Sequence, residues 1–195
     1  MAKNGSSDES LIRWEAGAIE DLDWSPDGQT LLVAATDPET DRNMQLWAVR
    51  VDDGSTDLWL AVDGDVGDAR FSPDGNWIAY SSDETGVPEV YVVSFPEAGR
   101  PMRVSTAGGS TPAWRADGRE LFYLELTGAL MAVDVDGTDS LEFSRTRELF
   151  HVTDGNPSGE RTRYDVTPDG QRFLVSPRVP RSLRLVQQWP LLLRE

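Results

Sequence analysis

One short phrase returns four times along this chain: Trp24-Ser-Pro-Asp-Gly28, Phe71-Ser-Pro-Asp-Gly75, Trp114-Arg-Ala-Asp-Gly118 and Val166-Thr-Pro-Asp-Gly170. An apolar stretch follows each at once: Leu31 to Ala35, Trp77 to Tyr80, Leu121 to Leu124 and Phe173 to Val175. With the aspartate as marker, the intervals are 47 residues (27 to 74), 43 (74 to 117) and 52 (117 to 169). A period of that size is the mark of a repeat architecture, in which each unit buries its faces against its neighbours.

The phrase itself encodes a corner. Proline presets φ at the second turn position, aspartate suits the third, and glycine tolerates positive φ at the exit. Asp27, Gly28, Asp74, Gly75, Asp117, Gly118, Asp169 and Gly170 are therefore expected to be turn formers joining antiparallel strands. In Leu121-Phe-Tyr-Leu124 the residues pointing either way are all large, so such strands belong in sheets covered on both faces. Third strands are expected at Met44–Val49, Glu89–Ser94 and Ala129–Asp134, and more polar outer strands at Asp57–Ala61, Pro101–Ser105 and Arg147–Phe150. Four strands of about 5–6 residues with connections of about 4–6 add up to roughly 40–48 residues, which fits the spacing.

These features predict an all-β fold: a β-propeller of about four four-stranded antiparallel blades, near residues 18–62, 66–107, 110–152 and 162–195. Residues 1–10 read as a flexible N-terminal segment ahead of one propeller domain, 11–195. The repeated Phe/Trp-Ser-Pro-Asp-Gly followed by an aliphatic strand resembles the TolB-type, WD-like β-propeller repeat. The stretches 71–86 and 164–175, with the ending at 185–194, are similar to the C-terminal propellers of bacterial serine/threonine kinases. Propellers of this type usually have more than four blades. Laying Trp24 on Trp114 sets Leu11–Trp14 over Pro101–Val104, an orphan outer strand at 11–14. The chain is thus either a partial (C-terminal) propeller or a small closed ring.

Composition bounds the partners. With 18 Lys and Arg against 34 Asp and Glu, the net charge is −16, which argues against a phosphate-binding surface and so against nucleic acid. Cysteine is absent, which excludes disulfides and thiolate metal sites. The first ten residues lack the apolar core of a secretory signal, and no apolar run approaches the roughly 20 residues of a membrane span. The compartment stays open: cytoplasmic by default, extracytoplasmic if the chain is detached from a receptor-like kinase or a TolB-like precursor.

Catalytic motifs are not found. Gly155-Asn-Pro-Ser-Gly159 has the wrong spacing for a nucleophile elbow, and His151, the single histidine, reads as an edge residue. Kinase motifs are missing too. Asp134, Asp136 and Asp139 form the weak metal candidate, an acidic hairpin with alternate carboxylates but without a closing bidentate glutamate. Trp47 and Trp59 fall on strand patterns, where packing explains them better than sugar stacking; Trp189 has no such pattern. No cofactor is expected. The residues, with the resemblance, lead to a non-catalytic protein- or peptide-binding scaffold of a signalling or envelope system, with self-association or missing blades as further partners. The alternative is a small propeller enzyme of the calcium-assisted lactonase or lyase type, or the detached propeller of a prolyl-oligopeptidase-like hydrolase.

Overall fold

The computed structural model describes Trp14 and residues 17–37, 43–137, 140–152, 163–176 and 184–187. The segment 1–10, Leu11 to Arg13, Asp139, the 155–159 stretch and Trp189 lie outside the described residues.

Four antiparallel meanders follow one another, all β. The first sheet is β1 (Ile19–Trp24), β2 (Thr30–Thr36), β3 (Met44–Arg50) and β4 (Thr56–Leu60). The second is β5 (Val66–Phe71), β6 (Trp77–Ser82), β7 (Glu89–Ser94) and β8 (Met102–Arg103). The third is β9 (Ser110–Trp114), β10 (Glu120–Leu124), β11 (Ala129–Asp136) and β12 (Glu142–His151). In the fourth, three strands are described: β13 (Arg163–Val166), β14 (Arg172–Ser176) and β15 (Arg184–Gln187). Within each sheet the strands pair in chain order, as the blades of a propeller do.

Each corner is closed by its own side chains. The Ser25 carbonyl accepts from Gly28 N at 2.8 Å, while the Ser25 hydroxyl donates to Asp27 Oδ1 at 2.6 Å. The same carboxylate oxygen accepts from Gln29 N at 3.0 Å. Ser72 with Asp74, and Thr167 with Asp169, repeat the hydroxyl–carboxylate bond, each at 2.5 Å. At the third corner Arg115 stands in for the hydroxyl residue and donates to Asp117 through Nε at 2.6 Å and Nη2 at 2.7 Å. The glycines that end the corners take φ values of +70°, +75°, +72° and +70°, a region that costs a side chain strain.

Three apolar cores lie between successive sheets. Leu32, Leu46, Phe71, Ile78 and Tyr80 fill the first, Val90, Val92, Leu121 and Tyr123 the second, and Phe122, Leu130, Phe173 and Val175 the third. Burying side chains of this size contributes about 1.5–3 kcal/mol each. Strands β6 and β10 are almost wholly buried, because each sits in a sheet packed on both faces. β14 differs from the two-sided pattern: Phe173 and Val175 are buried, whereas Arg172, Leu174 and Ser176 are exposed, since only one of its faces meets a described sheet. Beyond the first sheet a small cluster of Val33, Ala35 and Val49 packs with Trp14 and Trp47. Trp14 is not in a strand; its ring meets Trp47 edge-on with centroids 5.8 Å apart.

Candidate functional site

The first strands of the four sheets, β1, β5, β9 and β13, gather around a cavity of about 480 Å³. Strand β1 contributes Asp21 and Asp23, and β5 contributes Asp68 and Arg70. From β9 come Thr111 and Trp114, and from β13 come Tyr164 and Asp165.

The placement follows from irregularities that recur with the repeat. Pairing slips between Ile19 and Asp21 on β1, between Gly67 and Arg70 on β5, and opposite Phe122 and Leu124 on β9. Such bulges re-aim side chains and favour binding sites. Asp68 and Thr111, each six residues before its marker aspartate, adopt φ of +53° and +51°. Positive φ at a β-branched threonine is an outlier, and strain of this kind persists where the surrounding structure enforces it.

Hydrogen bonds lace the strands together across blade boundaries. Arg70 Nη1 donates to Asp21 Oδ2 at 2.5 Å and to the Ala69 carbonyl at 2.7 Å. Asp23 Oδ2 accepts from Phe71 N at 2.7 Å, and Asp68 Oδ2 accepts from Ser81 Oγ at 2.9 Å and Thr111 N at 3.3 Å. Trp114 Nε1 donates to the Arg70 carbonyl at 3.2 Å. Burial pushes the Asp23 carboxyl above its ordinary range, against the bond from Phe71 N and the charge of Arg70. Burial also works against the Arg70 cation, but the Asp21 bond and the surrounding carboxylates outweigh it and hold its pKa up. Burial drives the Tyr164 hydroxyl well above its usual range. That hydroxyl and Thr111 Oγ1 are buried and have no hydrogen-bond partner among the described residues.

Among the described residues, five that line the cavity are acidic (Glu20, Asp21, Asp23, Asp68 and Asp165) and one, Arg70, is basic.

The candidates raised from the sequence lie elsewhere. None of the eight corner residues Asp27, Gly28, Asp74, Gly75, Asp117, Gly118, Asp169 and Gly170 lines the cavity. Asp134 is ion-paired with Arg147, which also bridges to Glu120, and Asp136 Oδ2 accepts from Ser144 Oγ at 3.5 Å. Among the described residues no group of three or more histidine, aspartate and glutamate side chains is placed to hold a metal ion. His151 lies 3.3 Å from Glu148 on the exposed end of β12. Trp59 packs on Phe95 and donates from Nε1 to the Pro96 carbonyl at 2.7 Å.

The cavity residues did leave a trace in the sequence. Asp21 and Asp23, Asp68 and Arg70, Thr111 and Ala113, and Asp165 all fall six or four positions before a marker aspartate.

Comparison with known proteins agrees with this architecture. No curated protein matches the sequence. The structure is similar to that of TolB from Acinetobacter baumannii, with a TM-score of 0.65 and 17% identity over 85% of this chain and 40% of that one. It is also similar to an auxiliary nutrient binding protein from Bacteroides thetaiotaomicron, with a TM-score of 0.65 and 9% identity over 91% of this chain and 47% of that one. The chain therefore spans less than half the length of either protein. Residues 10–178 match the family described as the TolB beta propeller domain. With most of its length so matched, the chain belongs to the TolB β-propeller domain family.

Proposed function

We propose that the chain is a non-catalytic binding module whose central cavity receives a positively charged group, the side chain of an arginine or lysine presented by a protein or peptide partner. The observation that carries this reading is the imbalance among the described lining residues, five carboxylates against one guanidinium that is already bonded to Asp21. An added cation offsets the desolvation that raises the pKa of Asp23. The unpartnered Tyr164 and Thr111 hydroxyls supply hydrogen bonds whose cost of burial a ligand would offset. A rigid framework of strands carrying a few converging polar groups is the usual form of a ligand pocket. The nutrient-binding description of the Bacteroides thetaiotaomicron protein lends a binding role further support.

Equilibrium titration with a capped peptide carrying one arginine, against the same peptide with citrulline, tests the reading. The arginine peptide binds with one-to-one stoichiometry, the citrulline peptide at least tenfold more weakly. Asp68→Asn and Asp165→Asn weaken binding, whereas Asp52→Asn, outside the cavity lining, does not. Equal binding of both peptides, or equal loss in all three variants, overturns it.

A further inference from the structure

Arg70 stands at a position of the repeat that holds no base in the other three. The residue four before the marker aspartate is Asp23, Arg70, Ala113 and Asp165 in turn, and all four line the cavity. Strands β1, β9 and β13 form with an acid or an alanine there, so the fold itself does not call for a base. The guanidinium of Arg70 is spent on one carboxylate. Nη1 donates to Asp21 Oδ2 at 2.5 Å and Nη2 to Asp21 Oδ1 at 3.4 Å, the two-pronged grip that arginine makes on a carboxylate.

This ion pair can open without parting the sheets it links. Asp23 Oδ2 accepts from Phe71 N at 2.7 Å, a second bond between β1 and β5. Behind it Leu32 and Leu46 pack with Phe71 and Ile78. The arginine is also the wetter partner, its side chain 37% exposed against 18% for Asp21. A long stem with a solvated head turns away from such a contact at small cost. Asp23 and Asp68 act on Arg70 through their charge as well, so release from Asp21 does not strip the guanidinium of electrostatic support.

We infer that Arg70 is a built-in competitor: it holds on Asp21 the place that the partner's arginine takes on binding, and so selects arginine over lysine. The inference rests on the cation-binding reading of the cavity and adds what sets its affinity and choice. An incoming cation has to displace an internal one. A guanidinium reproduces the two-pronged grip on Asp21 and replaces Arg70 like for like. The ammonium of lysine is a compact point charge without that planar fork, so it exchanges a better contact for a poorer one.

Calorimetric titration of the full chain with capped peptides carrying one arginine, one lysine or one citrulline tests it. Wild type binds the arginine peptide more tightly than the lysine peptide. Arg70→Gln frees Asp21 and tightens arginine binding roughly fivefold, and it narrows the margin over lysine. Arg103→Gln removes the same charge outside the lining and leaves affinity within about twofold. In an Asp21→Asn background Arg70→Gln brings little of that gain, because the contested carboxylate is gone. Arg70→Lys keeps the charge without the fork and falls between wild type and Arg70→Gln; it decides the matter if circular dichroism shows the glutamine variant unfolded. Arg70 variants that bind no more tightly than wild type overturn the inference. So does an equal gain with and without Asp21, or a lysine peptide that binds wild type as tightly as the arginine one. Wild type that binds the arginine and citrulline peptides alike overturns the cation reading itself, and this inference with it.

Discussion

Arg70 Nη1 donates to Asp21 Oδ2 at 2.5 Å, so that one ion pair both joins the inner strands of the first two sheets and sets the charge of the central cavity. The guanidinium is partly solvated, which tempers its worth as a stabilising contact. Its removal nevertheless leaves Asp21, Asp23 and Asp68 without the nearest cation. Arg70→Gln is expected to cost about 1–2 kcal/mol, a fall in melting temperature of about 2–8 °C for a chain of this size. Thermal unfolding followed by circular dichroism checks it; an unchanged transition means the pair is ornamental.

Two corner glycines of similar φ differ in what surrounds them. Gly28, at +70°, has open space around a would-be Cβ, whereas Gly170, also at +70°, faces Arg115 Cδ at 2.9 Å and Phe122 Cζ at 3.2 Å. Arg115 is held by Asp117 and Glu120, and Phe122 is fully buried, so neither yields readily. Gly28→Ala is expected to cost only the backbone strain, about 1 kcal/mol. Gly170→Ala adds an overpacking cost of about 1–3 kcal/mol. Denaturant titration of the two variants measures the difference directly.

The fold was legible because its signals are local. Pro, Asp and Gly at a corner declare their φ preferences residue by residue, and the apolar runs at Trp77 to Tyr80 and Leu121 to Leu124 require cover on both faces. The cavity was not legible in the same way. Asp21, Asp68 and Thr111 line it because bulges turn them inward, and a bulge is a matter of register between strands. With 34 acidic residues in the chain, no carboxylate stands out until that register is known. The Asp134 and Asp136 hairpin drew notice for its spacing, yet Arg147, thirteen residues after Asp134, is what occupies Asp134.

Two aspartates are expected to respond to pH with opposite sign. Asp117 is held down to about 2, first by its bonds from Arg115, against an ordinary value of 3.8. Its contribution to stability is therefore present above pH 3.8 and lost as the pH falls toward 2. Asp23 is raised, chiefly by burial, so its contribution is fully present below 3.8 and lost as the pH rises through its folded-state value. The advantage of wild type over Asp117→Asn should vanish on acidification, whereas wild type should gain relative to Asp23→Asn. Melting temperatures of the three proteins between pH 7 and pH 2 check both signs.

Tyr80 is fully buried between the first two sheets, stacked on Tyr91 with ring centroids 5.5 Å apart, and its hydroxyl finds no partner among the described residues. Burial pushes that hydroxyl far above its ordinary pKa. Tyr80→Phe removes an unsatisfied polar atom while keeping the ring, so stability should hold or rise by about 1 kcal/mol. Tyr164→Phe should be equally mild for folding but should weaken binding in the cavity, which the same pair of titrations separates.

The most direct measurement is the indole region of a nitrogen–proton correlation spectrum, recorded as the single-arginine peptide is added. Trp114 lines the cavity and donates from Nε1 to the Arg70 carbonyl, while Trp24 and Trp59 lie outside the lining. A saturable shift of the Trp114 Nε1–H signal, with Trp24 and Trp59 unmoved and no shift from the citrulline peptide, is the expected result. Shifts confined to Trp24 or Trp59, or an unmoved Trp114 at saturation, contradict a cation-binding central cavity.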